Sequence, residues 1–149
     1  MSSFNSWYIK RVKSEIFIPE LLRFDSLQVG VLASGNATAA KTLFQEMQEG
    51  GLPGAICALI SNTYLAPMLN WEVGSIPRFV INQATSQHPG VEMYEKLKEN
   101  GVNIVVCCGF MVDVPEEVHK QILTLIYTLL IQNGLEAKVC IKRVYTKRF

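Results

Sequence analysis

The stretch Leu27-Gln28-Val29-Gly30-Val31-Leu32-Ala33-Ser34-Gly35-Asn36-Ala37-Thr38 constrains this chain more than any other. An apolar run ends in a small, polar, glycine-containing turn, and a helix-like segment follows from Ala39 to Gln48. A buried strand that delivers a tight turn onto a helix N-terminus is the opening of a βαβ unit. The first N–H groups of such a helix have no internal partner, and its dipole favours negative charge there. The turn is therefore a candidate anion site, and phosphate is the best-matched group. Gly35 permits close backbone approach, and Ser34, Asn36 and Thr38 carry hydrogen-bonding side chains. The plain alternative is an ordinary strand-to-helix turn with Asn36 or Thr38 as the N-cap. Neither the dinucleotide fingerprint G-x-G-x-x-G nor a Gly-Lys-Ser/Thr P-loop is present.

The rest of the chain alternates in the same way. Leu27–Ala33 reads as a strand and Ala37–Glu49 as a helix stopped by Gly50-Gly51. Ala55–Ser61 reads as a strand buried on both faces, Thr63–Val73 as a helix stopped by Gly74, and Arg78–Ile81 as a short strand. Val91–Asn100 reads as a helix before Gly101, and Asn103–Cys108 as a further buried strand. Pro115 opens a long helix to about Gln132, with Gly134 as its stop, and Val139–Tyr145 reads as an edge strand. The expected class is α/β, a Rossmann-like doubly wound parallel sheet, with ligands at the carboxyl ends of its strands. The Ala33–Thr38 and Gly109-Phe110-Met111 turns both fall at such ends.

The 149 residues fit one domain, with 49% apolar and 18% charged residues, a balance that argues against disorder. We divide them into an extension (1–26), a main α/β domain (27–135) and a basic edge strand or tail (136–149). The extension carries Trp7, Tyr8, Ile9, Ile16, Phe17 and Ile18, too apolar for a free tail, so part of it is expected to pack on the domain. A net charge of +1 predicts no general attraction to nucleic acid. No apolar run reaches the roughly 18 residues that span a bilayer, and no signal peptide is read at the N-terminus. Cys57, Cys107, Cys108 and Cys140 sit in apolar runs with no zinc or redox spacing. They read as reduced, buried cysteines of a cytoplasmic protein without a metal. His88 and His119 have no sequence-local partner that would make a triad, and aspartates occur only at Asp25 and Asp113. The basic residues Lys138, Lys142, Arg143, Lys147 and Arg148 read as a solvated end.

Four segments, in order, resemble the phosphoribosylglycinamide formyltransferase family. Val31–Thr38 resembles its first strand and phosphate loop, and Leu59-Ile60-Ser61-Asn62 its second strand end. Gly74-Ser75-Ile76-Pro77 resembles its Gly-Ile-Pro entry to the third strand, and Gly101–Met111 the strand that leads to its Gly-Phe-Met turn. The resemblance covers about residues 27–115. It implies the formyltransferase fold, incomplete here, and formyl transfer from 10-formyltetrahydrofolate, a co-substrate, to glycinamide ribonucleotide in de novo purine (IMP) synthesis.

By resemblance, Ser34, Gly35, Asn36 and Thr38 hold the substrate phosphate, and Gly109, Phe110 and Met111 border the folate pocket. Ala37 stands where the family usually has glycine, and Val112-Asp113-Val114 replaces its usual Arg-Ile-Leu. The family's chemistry rests on an Asn-x-His-Pro-Ser strand end and a later aspartate. No Asn-x-His occurs in these residues, so no catalytic residue is assigned. Pro115-Glu116-Glu117-Val118-His119-Lys120-Gln121-Ile122-Leu123 resembles either the helix just after the Gly-Phe-Met turn or the family's C-terminal helix, with its Asp-x-Pro-Glu-x-Leu opening. The alternative function is a non-catalytic paralogue or partner subunit that binds a phosphorylated ligand. An incomplete sheet exposes apolar edge and face, which favours self-association or pairing with a full-length relative.

Overall fold

The computed structural model describes residues 3–11, 19–72, 75–132 and 136–144, with only the backbone path from 127 onward. The elements in chain order are α1 (Phe4–Arg11), β1 (Leu27–Leu32), α2 (Thr38–Gln48), β2 (Gly54–Ser61), β3 (Arg78–Val80), α3 (Pro89–Glu99), β4 (Ile104–Cys107), α4 (Glu116–His119), β5 (Leu123–Gln132) and β6 (Glu136–Val144). They build one sheet in the order β3-β2-β1-β4-β5-β6. The first five strands of that order pair in parallel, and β6 returns antiparallel along β5. This is the expected α/β architecture. The chain runs outward from β1 to β3 and then crosses to β4 on the other side, so the order reverses between β1 and β4. In open α/β sheets the crevice at such a reversal is where ligands bind.

The sheet is buried on both faces, which explains why its central strands read as unbroken apolar runs. One core layer gathers Val29, Val31, Leu59 and Val106 from the sheet with Ala40 and Leu43 of α2. Phe4 and Tyr8 of α1, with Leu21 and Phe24, belong to the same layer. The other layer gathers Leu32, Ile60 and Val105 with Met93 and Leu97 of α3 and Val118 of α4. Gly30 makes the second layer close: a Cβ there would lie 2.5 Å from Leu97 Cδ2. Asn103 ties β4 to β1 by accepting the Gln28 N–H at 2.8 Å and donating to the Ser26 carbonyl at 3.0 Å.

Two helices expected from the sequence are corrected. Thr63–Val73 is not an α-helix; its described part holds a turn and a short 3-10 helix at Pro67–Asn70. Pro67 has no N–H and holds Ala66 extended, at φ −66° and ψ 120°. Upstream, Ser61 Oγ accepts the Thr63 N–H and Thr63 Oγ1 accepts the Leu65 N–H, each at 3.2 Å. Such side-chain bonds give the backbone an alternative to the helix. The long helix from Pro115 to Gln132 is replaced by the single turn of α4 and by β5. The run from Ile122 to Ile131 is rich in β-branched residues, which a pleated strand accommodates better than a helix does. Pairing with β4 satisfies its backbone. The edge strand at the chain's end is present as β6 and begins three residues before the expected Val139. The stops read at Gly74 and Gly134, the apolar residues Ile16–Ile18, and Tyr145, Lys147 and Arg148 lie outside the described residues.

Cys107 and Cys108 are buried, one in each core layer. Burial pushes both thiols up to about 12. Cys57 corrects the expectation of uniformly buried cysteines. It is half-buried, and burial raises its thiol to a lesser degree, against a backbone hydrogen bond from Val29. It is the unpaired residue of a bulge: Val29 pairs with Ile56, but Gly30 pairs with Ala58. The side chain of Cys140 lies outside the described residues.

Candidate functional site at the carboxyl ends of β1 and β4

The chain passes from β1 into α2 through Ala33–Ala37. Ala33 is fully buried and donates its N–H to the Ile60 carbonyl at 3.0 Å, which carries β1 on past its last ladder residue. Beyond it the backbone leaves the sheet. Gly35 accepts the Met68 N–H at 3.2 Å through its carbonyl, anchoring the loop to the 3-10 helix. A Cβ at Gly35 would meet nothing within 4 Å, so its backbone faces open space.

Ala37 is the N-cap of α2 and sits in the left-handed region, at φ 52° and ψ 50°, with no side-chain cap bond. It is the sole non-glycine residue at positive φ among the described residues. That conformation costs an L-residue about 1 kcal/mol or more. We expect Ala37→Gly to stabilise the protein by about 1 kcal/mol, visible as a thermal midpoint raised by about 2–4 °C. An unchanged or lowered midpoint would contradict the strain.

Among the described residues, none of the N–H groups from Gly35 to Ala39 has a hydrogen-bond partner. Ala40 and Lys41 donate to the Ala37 carbonyl at 3.0 and 3.2 Å, so the helix ladder begins only there. The Ala40 N–H also meets the Cys108 sulfur, which partly offsets the upward push of burial on that thiol. The result is a run of unpaired donors leading onto the positive end of an 11-residue helix. Asn36 and Thr38 are exposed beside it.

The second loop lies alongside. Gly109, at φ 67°, turns the chain sharply out of β4. Phe110 is half-buried and packs against the core layer of α3, while Met111 is 80% exposed. The two loops are joined directly: the Ser34 N–H donates to the Gly109 carbonyl at 3.2 Å, and the Met111 N–H donates to Ser34 Oγ at 2.8 Å. Six of the seven residues singled out in the sequence thus stand on two loops that touch through Ser34, and Thr38 opens the helix that follows the first of them.

Asn62 was missed. Its Oδ1 accepts the Ser34 hydroxyl at 2.6 Å, so the end of β2 belongs to the same cluster. Leu32 and Ile60 are ladder partners, and Ser34 and Asn62 continue the same 28-residue offset beyond the strand ends. Residue counting would have found this contact had the bulge at Cys57, which sets the offset, been visible in the sequence.

The histidines stand elsewhere in the chain. His88 is the N-cap residue of α3, and His119 closes α4, where burial and the neighbouring Lys120 charge lower its pKa. Among the described residues no group of His, Cys, Asp and Glu is arranged to hold a metal ion, and no helix is long and apolar enough to cross a membrane. A groove of about 620 Å³ lies at the opposite end of the sheet, lined by Phe44, Met47, Cys57, Ile76 and Pro77 among others.

No family model and no curated protein matches the chain by sequence. Solved structures do match. Glycinamide ribonucleotide transformylase 1 from Symbiobacterium toebii is 25% identical, with a TM-score of 0.59 over 70% of this chain and 53% of that one. Phosphoribosylglycinamide formyltransferase from Anaplasma phagocytophilum is 28% identical, with a TM-score of 0.56 over 70% of this chain and 51% of that one. A formyltetrahydrofolate deformylase from Pseudomonas putida KT2440 is 17% identical, with a TM-score of 0.56 over 73% of this chain and 41% of that one. The chain spans about half the length of the two transformylases. Strand order, converging loops and these neighbours lead to one assignment: the chain has the fold of the phosphoribosylglycinamide formyltransferases.

Proposed function

We propose that this chain is a phosphoribosylglycinamide formyltransferase-like protein of purine synthesis in the cytoplasm. It binds glycinamide ribonucleotide by its phosphate at the Ser34–Thr38 segment, through Gly35, Asn36 and Thr38, while Ser34, whose N–H and hydroxyl both donate within the fold, sets the loop. It takes 10-formyltetrahydrofolate, without a metal, against Gly109, Phe110 and Met111. The observation that carries this reading is the set of unpaired N–H groups from Gly35 to Ala39 at the head of α2. They follow the carboxyl end of β1, where the sheet order reverses, and the loop that carries them is bonded to the Gly109–Met111 turn through Ser34. A dianionic phosphate would satisfy several of these donors at once through charge-assisted bonds.

A second reading, a non-catalytic paralogue or partner subunit with the same phosphate site, is favoured by β5. The helix α4 comes directly after the Gly109–Met111 turn and leads into the strand beside β4. This is where an Asn-x-His-Pro-Ser strand end would be expected. The strand reads Leu123-Thr124-Leu125-Ile126-Tyr127-Thr128 instead. Thr124 is buried, with its hydroxyl donating to the Ile122 carbonyl at 3.0 Å. Both readings require phosphate-ligand binding, and only the first requires turnover.

Titration calorimetry with glycinamide ribonucleotide tests their shared part. We expect saturable binding, competed by inorganic phosphate and weakened about tenfold or more by Asn36→Ala, the loss of one hydrogen bond to a charged group. No heat of binding with wild-type protein, or an unaffected variant, would overturn the assignment.

A further inference from the structure

The Ser34 hydroxyl occupies a position that the phosphate-binding role does not explain. A serine hydroxyl has one proton to give. Here that proton goes to Asn62 Oδ1 at 2.6 Å, while the oxygen accepts the Met111 N–H at 2.8 Å. The Ser34 backbone N–H is also committed, to the Gly109 carbonyl. One residue therefore ties together the ends of β1, β2 and β4. Ser34 stands immediately before the unpaired N–H groups that would close on an anion. Met111 stands at the far side of a loop turned by a left-handed glycine, with its side chain in solvent. The hydroxyl and the backbone N–H of Ser34 are thus both bonded to the Gly109–Met111 loop or to the end of β2.

We propose that Ser34 is a positioning residue that couples the two loops, so that a ligand on one raises the affinity for a ligand on the other. This rests on the ligand assignment made above. The physical basis is shared ordering. The first ligand bears the entropic cost of fixing the joint, and the second then binds loops already held in place. The coupling is reciprocal, because it is a free energy between two equilibria.

The test uses glycinamide ribonucleotide and tetrahydrofolate, which carries no formyl group and so allows both sites to fill without reaction. With saturating tetrahydrofolate, wild-type affinity for the ribonucleotide should rise about fivefold, the low end of measured site-to-site coupling. Ser34→Ala should lower that factor at least twofold, leaving only the Ser34 N–H to Gly109 carbonyl bond between the loops, and Ser34→Thr, which keeps the hydroxyl, should restore it. Asn62→Ala cuts the other side of the joint and should lower the factor too. Amide exchange at Met111 should accelerate in Ser34→Ala while α2 and β4 stay protected, which separates a released loop from a misfolded protein. A wild-type factor of one with both ligands bound would refute the coupling and leave the ligand assignment standing. So would a factor that Ser34→Ala leaves unchanged. Failure of either ligand to bind would refute the ligand assignment, and the coupling with it.

Discussion

Formyl transfer from 10-formyltetrahydrofolate to glycinamide ribonucleotide, catalysed by this 149-residue chain, should run at least about 10³-fold below the rate of an ordinary metabolic enzyme. The amine attacks the formyl carbon and an oxyanion develops. That charge needs donors already aimed at it, and losing one donor typically costs about 10²–10³ in rate. A proton must also leave the amine, and a positioned base contributes a further 10²–10⁴ or so. The strand following the Gly109–Met111 turn, β5 (Leu123–Gln132), holds no asparagine, histidine or carboxylate. Beside that turn the nearest carboxylate in sequence is Asp113, which is exposed. Holding the reactants together still contributes, through orientation alone. The measurement is steady-state product formation at high protein concentration, with Asn36→Ala as the control. Turnover near 1–10 per second, abolished by the control, would mean that other residues supply the chemistry.

Gly54→Ala should destabilise the fold by about 3 kcal/mol or more. Gly54 opens β2 at φ +152°, and a Cβ there would lie 2.3 Å from the Leu27 carbonyl oxygen and 3.0 Å from the Leu27 nitrogen. These are backbone atoms of the paired residue in β1, so no side chain can swing away to relieve the contact. Relief requires parting β1 from β2 where their ladder begins. Gly35→Ala is the matched control: it meets open space at an ordinary φ and should leave stability nearly unchanged. Urea unfolding of the two variants decides the matter. Equal midpoints would show that the β1–β2 edge yields without cost.

The frame of the fold was legible because strands buried on both faces leave an apolar signature, and small or polar turn residues mark where they end. Leu27–Leu32, Gly54–Ser61 and Ile104–Cys107 are such runs, and the crossover rule orders them. Two segments were not legible, for different reasons. At 63–72 the deciding forces were local: a proline without an N–H and hydroxyls that bond their own backbone. At 122–132 a short apolar run suits a buried helix and a buried strand alike, and only pairing with β4 decides. In the site, the two loops could be named from the sequence because both end buried strands. Their contact through Ser34, and the arrival of Asn62, depend on strand register. A single bulge at Cys57 fixes that register, and no local pattern announces it.

The most direct test of the account is where a phosphate ligand binds. Amide shifts of the isotopically labelled protein, titrated with glycinamide ribonucleotide, locate it residue by residue. The account predicts saturable shifts at Gly35–Ala40 and at Gly109–Met111. It predicts none at the groove of Phe44, Cys57 and Ile76. Shifts centred on that groove, or none at the head of α2, would contradict it.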